Sequence, residues 1–373
     1  MKKLIIITLI IIGLGAIAIP IFIKSRGSHE KEDDGKAVVQ AGSVIDRYKG
    51  TIFYARYGLE KGIYSLSIQN GKKRCLANGE LDSIGSGGNT IAFTNAPSSM
   101  DENEYSLHYI SMYSDDAMQS LNPGGRPVEG TALSPDGLKA AYILKNQKGN
   151  CELYSMSIED GKFFSTGVTA LSITDVSFVN GSSLIYSKLI ALNGMPTYQI
   201  FTYSLETGQE KRLHVSGSND INPLVSPDGR YVAFLSLTNS CYNPCIMKMK
   251  DVNEGEDEII NNDVVLGGTL KWSPNSRYLL YTSVSYSTQD VYNVKVVDTQ
   301  ASYKSRIIGC GYIGAFSSDS TALVFANYNQ EGSSKMQNIY IGDIDGKNIS
   351  ELISMTEYGC YARSIRVLEW ANR

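Results

Sequence analysis

The chain has 373 residues, a formal net charge of −4 and 19% charged residues. That mild acidity excludes the basic footprint of a nucleic-acid binder and the field of a polyelectrolyte. With 35 glycines and 24 tyrosines, the composition favours many turns and many half-buried strands over helices.

Met1-Lys2-Lys3 precedes an uncharged apolar run from Leu4 to Ile23, long enough to cross a hydrocarbon core. Residues 1–3 therefore read as a cytoplasmic n-region and 4–23 as a transmembrane signal anchor. Ala16-Ile17-Ala18 keeps a cleaved signal peptide and a secreted product open as the alternative. No cysteine lies near this segment, so a lipid-anchored form is not expected. Residues 24–46 are polar and of mixed charge and read as a solvated linker. Either reading puts the remainder, 47–373, outside the cytoplasm, and the anchored one places it in a cell envelope.

From residue 47 onward one phrase recurs: a turn, then a short apolar strand ending in an aromatic residue. The clearest copies are Val225 to Ser236 (VSPDGRYVAFLS), Leu133 to Ile143 (LSPDGLKAAYI) and Trp272 to Ser283 (WSPNSRYLLYTS). The aromatic anchors are Phe53, Phe93, Tyr142, Tyr186, Phe234, Tyr281 and Phe325, spaced 40 to 49 residues apart. This is the period of a four-stranded propeller blade. In each copy Pro presets one turn dihedral while Gly or Asn accepts positive φ, which predicts a tight hairpin. The strand after it is apolar on consecutive positions, as expected between two neighbouring blades. Alternating strands such as Gly62 to Ile68 and Asn338 to Ile341 follow.

The segment at Phe53 lacks an innermost strand before it, and Ile365 to Ala371 matches the segment ending in Trp272. The expectation is an all-β fold: a seven-bladed propeller of four-stranded antiparallel blades, closed by the C-terminal strand and preceded by one transmembrane helix.

The phrases SPDGRYVAF and SPDGLKAAY, each followed by an I-Y or L-Y strand, resemble the WD40-like repeat of TolB-type propellers, shared by the propeller domains of prolyl oligopeptidase relatives. The resemblance runs from about Tyr48 to Trp370 and implies the propeller fold. Three copies depart from it, with Gly-Ser-Gly-Gly, Val-Asn-Gly or Ser-Ser-Asp-Ser in the turn. The additional N-terminal domain of TolB and a peptidase domain have no counterpart in the expected organisation.

Catalytic patterns are missing. There is no G-x-S-x-G elbow, and His29, His108 and His214 show no zinc-ligand spacing. The acidic stretches at Asp101 to Glu104 and Glu254 to Glu258 lack a calcium register and read as solvated loops. The expected function is a non-enzymatic binding scaffold without cofactor or metal.

Connections at 95–104, 188–197, 236–245 and 327–337 read as long irregular loops on the rim opposite the S-P-D-G turns, the face offered to an envelope or extracellular protein or peptide. Asp175, Asp220, Asn222 and Arg363 fall near the channel mouth as candidate ligand-binding residues, with loop capping as the competing reading. A glycan-binding or glycan-active site at that mouth is the alternative function. Of six cysteines, Cys241 with Cys245 and Cys310 with Cys360 are candidate disulfides, against the reading that all are thiols.

Overall fold

The computed structural model describes residues 47–371 except 58–60, 79–83, 88–89, 95–106, 113–118, 122–125, 127, 214–218, 239–240, 249–257, 260–263, 266–269, 287–289, 332–333 and 358–364.

The repeated turns are closed by their own side chains. The Ser134 hydroxyl accepts the Lys139 N–H at 2.9 Å, and the Asp136 carboxylate accepts the Leu138 N–H at 3.0 Å. Ser226 and Asp228, Ser273 and Asn275, and Ser317 and Asp319 repeat the arrangement. The turn carboxylates thus satisfy local backbone donors. Gly137 and Gly229 sit at φ +73°, where a side chain is strained; Ser276 and Ser320 hold the same position at φ +61°.

Each turn launches a strand whose aromatic anchor is buried. Phe53, Phe93, Tyr142, Tyr186, Phe234, Tyr281 and Phe325 are all shielded from solvent almost completely. Every one lies on the strand next to the innermost, and its burial contributes roughly 1.5–3 kcal/mol.

Five sheets are blades of four consecutive strands, spanning residues 84–121, 128–170, 173–212, 220–259 and 312–357. In a further four-stranded sheet the C-terminal strand Ile365–Ala371 lies beside Thr51–Arg56, followed by Gly62–Ser67 and Lys73–Asn78. The sheet between 264 and 310 has five strands: Val264–Val265 and Lys271–Trp272 both pair with Tyr278–Tyr286, followed by Asp290–Asp298 and Ser305–Cys310. The expectation of seven equivalent blades is corrected, since five rather than seven are built of four consecutive strands. Gly267 and Gly268 stand in the sequence between the two short inner pieces, and glycine weakens a strand interior.

The expected helix is likewise not part of the fold described: no helix among the described residues is long and apolar enough to cross a membrane, and Leu4 to Ile23 lies outside them.

Innermost strands pack on one another from sheet to sheet. Ile173–Asn180 contacts both Val128–Leu133 and Asp220–Val225, and Tyr312–Phe316 contacts Ile365–Ala371. The two ends of these strands define two rims. On one rim the turns are linked from sheet to sheet: Lys139 Nζ donates to the Gly181 carbonyl at 2.7 Å, the Asp228 N–H to Ser276 Oγ at 3.0 Å, and the Asn275 N–H to Ser320 Oγ at 3.1 Å.

On the other rim the connections expected to be irregular loops are regular hairpins. Ser183–Leu192 pairs with Met195–Ser204 through its whole length around Asn193-Gly194, both at positive φ, which is the geometry of a two-residue type I′ turn. Ala322–Glu331 pairs throughout with Ser334–Asp343, and Tyr231–Thr238 with Cys241–Lys248. The innermost strands stop short, pairing only as far as Lys188 and Ala326. Hairpin 189–198 and the paired arms 327–331 and 334–338 therefore extend past the innermost strands, the second with the outer strand Ser350–Glu357 still paired beside it. The connection at 95–104 lies outside the described residues.

Candidate functional site

Two innermost strands, Ile173–Asn180 and Asp220–Val225, each contain a bulge near the hairpin rim, where the register shifts between Thr174 and Ser177 and between Ile221 and Leu224. The bulges place Asp175 and Asn222 in the left-handed region, both at φ +55°. Short polar side chains tolerate that conformation best. The result brings the two residues together across adjacent sheets: the Asn222 side-chain amide donates to Asp175 Oδ1 at 3.0 Å and its backbone N–H to Oδ2 at 3.2 Å.

Burial pushes the Asp175 carboxyl above its ordinary range, against the opposing pull of the hydrogen bond from the Asn222 N–H. Ser187 stands opposite Thr174 in the pairing. Its hydroxyl and the Asn222 Oδ1 are buried and have no hydrogen-bond partner among the described residues. A desolvated carboxyl and an unsatisfied amide oxygen thus meet between two sheets, with a buried hydroxyl on the strand that pairs beside them. Such a set suits a ligand bearing several hydroxyl groups.

The other expected site residues divide. Asp220 is fully buried, and its carboxylate accepts the Ser236 hydroxyl at 2.7 Å, within its own sheet. Arg363 lies outside the described residues, as does Cys360. Cys245 is a buried thiol on the strand Cys241–Lys248, which also contains Cys241. Four residues along an extended strand span about 13 Å, so the local Cys241–Cys245 bridge is excluded. Cys310 is an exposed free thiol and Cys151 a buried one.

A second cluster escaped the sequence reading. At the turn rim, where the sheet holding the C-terminal strand meets the sheet before it, a cavity of about 490 Å³ is lined by Arg47, Tyr48, Lys49, Asp319, Asp343 and Trp370, among others. Arg47 donates to both Asp343 oxygens at 2.8 Å, and the Tyr48 hydroxyl to Oδ1 at 2.8 Å. Burial and the bond to Asp343 push the Tyr48 hydroxyl up to about 12. Burial works against ionisation of Asp343, yet bonds from Asn348, Tyr48 and Arg47 hold its carboxyl below the ordinary range. Tyr48 and Trp370 meet edge to face at 5.9 Å. Arg47 and Tyr48 precede the first repeat anchor, so the periodicity gave no signal for them.

No protein-family model matches the chain, and no curated protein is similar to it. Solved structures share its fold. TolB from Acinetobacter baumannii is 16% identical, with a TM-score of 0.53 over 87% of this chain and 82% of its own. An oligogalacturonate lyase from Vibrio parahaemolyticus is 12% identical, with a TM-score of 0.57 over 79% of this chain and 91% of its own. The β-propeller domain of the Trilobed protease from Pyrococcus furiosus, which has an open velcro topology, is 13% identical, with a TM-score of 0.52 over 79% of this chain and 93% of its own. At these identities the likeness is one of architecture, and the chain has the fold of TolB-like and related β-propellers.

Proposed function

We propose that this chain is a membrane-tethered, extracytoplasmic binding propeller that presents its hairpin rim to an envelope or extracellular protein or peptide. One observation carries the reading: hairpin 189–198 and the paired arms 327–331 and 334–338 extend past the innermost strands on the rim opposite the one the chain joins at Arg47 and Tyr48. A paired hairpin presents side chains on a stiff frame, so less freedom is lost on binding than in a flexible loop. The base of the first hairpin is fixed further: the Tyr198 N–H donates to Asn219 Oδ1 at 2.8 Å and the Tyr198 hydroxyl to Ser172 Oγ at 2.9 Å. Its tip exposes Met195, an adaptable apolar contact.

The apolar run at 4–23 supports the tether and the export. Fractionation of cells, with alkaline carbonate extraction and protease accessibility from outside, tests both; recovery in the soluble cytoplasmic fraction overturns them. Cross-linking in intact envelopes, comparing the wild-type chain with one in which both overhangs are shortened to two-residue turns, tests the rim. A partner captured equally by both chains overturns it.

The Asp175–Asn222 pair favours a second reading, recognition of a saccharide at the channel mouth, and oligogalacturonate lyases are among the proteins sharing the fold. Calorimetric titration with neutral and acidic oligosaccharides separates the two readings, because Asp175→Ala abolishes saccharide binding only under the second.

A further inference from the structure

Hairpin 189–198 treats its two edges differently. Successive residues of a strand send their N–H and C=O groups to opposite edges, and the Tyr198 N–H, bonded to Asn219 Oδ1 at 2.8 Å, marks the even residues of Met195–Ser204 as facing outward. That outer edge is closed: Pro196 has no N–H, and the Tyr198 carbonyl accepts the Gln199 side-chain amide at 2.9 Å. On the other arm the Leu189 N–H donates to the Ser172 carbonyl at 3.0 Å, which turns the odd residues of Ser183–Leu192 toward the inner edge. Beyond that bond no strand continues. The Leu189 carbonyl and the N–H and carbonyl of Ala191 have no backbone partner among the described residues, and Ala191 is exposed.

Apolar side chains stand at both ends of this open edge. Leu171, next to Ser172 at its base, is 75% exposed, and Met195, opposite Leu192 at its tip, is 68% exposed; no other large apolar side chain among the described residues is as exposed as either. Ile190 and Leu192, half-buried, lie between base and tip on the same face as Met195. A second copy of the chain pairing from outside would meet the outer edge, which Pro196 and the bonds on Tyr198 block, as native edges are commonly blocked against self-association. The inner edge instead continues the track of the innermost strand Ile173–Asn180, so the occupant that fits is a single extended segment. Unpaired backbone groups supply its hydrogen bonds, and the apolar side chains select alternate positions along it.

We propose that the inner edge of hairpin 189–198 takes up an extended apolar peptide segment of the partner as an added strand. Its backbone bonds the Leu189 carbonyl and both groups of Ala191, and its alternate apolar side chains lie beside Ile190 and Leu192. The proposal rests on the hairpin-rim reading, to which it adds the chemistry of the captured segment.

The test selects random linear heptapeptides, displayed on phage, against the full chain in a mild detergent, and measures binding of a synthetic copy of the enriched sequence. Enrichment of apolar residues at alternate positions is expected. Ala191→Pro removes the open N–H without touching a bond of the hairpin, so it should leave the melting temperature unchanged and weaken binding roughly tenfold or more. Hydrogen exchange on the wild-type chain needs no substitution: bound peptide should slow the Ala191 amide several-fold and leave Thr197, already paired with Ile190, as it was. Binding that is lost when the hairpin is shortened to a two-residue turn, yet is indifferent to Ala191→Pro and gives Ala191 no protection, overturns strand addition and leaves the rim reading standing. Binding indifferent to the shortening of both overhangs overturns both. Failure to enrich any peptide also overturns strand addition, because capture through backbone groups tolerates many sequences, and the rim reading then stands or falls on cross-linking in envelopes.

Discussion

Trp370 donates its indole N–H to the backbone carbonyl of Lys49, 2.9 Å away across 321 positions of sequence. The bond joins the last strand to the segment that leads into the first, and the register of the two strands, with Ile52 opposite Trp370, follows from it. Trp272 makes the analogous bond to the Leu224 carbonyl at 2.9 Å, but there the partner is the adjacent innermost strand. The two tryptophans thus secure the ring by one device, once between neighbouring repeats and once between distant ends of the domain.

Removal of residues 364–373 should leave Thr51–Arg56 as an unpaired edge and lower the stability of the whole domain, read as a large fall in the denaturation midpoint with loss of a single transition. Trp370→Ala removes a buried aromatic and should cost about 3–5 kcal/mol. Trp370→Phe retains most of the packing but leaves the Lys49 carbonyl unbonded, costing about 1–2 kcal/mol. Unchanged urea midpoints in the deletion would refute closure by this strand.

The Tyr48–Asp343 bond makes a pH prediction. The Tyr48 hydroxyl is raised from 10 to about 12, so the neutral phenol is favoured in the folded state. Its contribution is complete below the ordinary tyrosine range and is lost as pH rises from 10 towards 12. Thermal unfolding followed from pH 8 to 12 should show a steeper alkaline fall for the wild-type chain than for Tyr48→Phe. At the acid end the sign reverses for Asp343, whose lowered carboxyl contributes stability above its ordinary range that disappears as pH drops through the folded value. Parallel curves for the two chains at alkaline pH would show that the hydroxyl is not coupled to folding.

The aromatic anchors were legible because each repeat carries the same local demand, a tight turn followed by a strand covered on both faces, and Tyr142 or Phe234 satisfies it within a dozen residues. The match of Trp370 to Trp272 was legible for the same reason. What was not legible depends on neighbours. The hairpin around Asn193-Gly194 looked like a loop because its pairing continues past the point where the innermost strand stops, which no local pattern records. Asp175 and Asn222 could be placed near the channel mouth from the sequence, but their left-handed bulges and their bond arise only when two sheets are packed side by side. Arg47 and Tyr48 lie outside the repeat altogether, and their ties to Asp343 follow from how the ring closes.

Thiol chemistry should distinguish the cysteines without any substitution. Cys310 is exposed and should react with an aromatic disulfide reagent in the native protein, whereas Cys151 is buried, its thiol pushed up by desolvation, and should react only on unfolding. With Cys241 and Cys245 on one extended strand, the melting temperature should not respond to reductant through that pair. A mass shift of two protons at the peptide containing both, seen only after reduction, would contradict the strand geometry.

Ser276 and Ser320 depart from the glycine of the repeat at a position that still requires positive φ, and both use their hydroxyls to accept a backbone N–H from the turn of the preceding sheet. The departure is therefore a trade of backbone ease for an inter-sheet bond. Ser276→Ala keeps the strained conformation and loses the bond, leaving the Asp228 N–H unsatisfied, so it should destabilise by about 1–2 kcal/mol. Ser276→Gly loses the same bond but relieves the strain, and should fall close to the wild-type chain. Equilibrium unfolding in urea separates the two, and the Ser320 pair should behave alike with respect to the Asn275 N–H. If alanine proves as stable as glycine at both positions, the hydroxyls do not link the turns, and the order of the rim must come from strand packing alone.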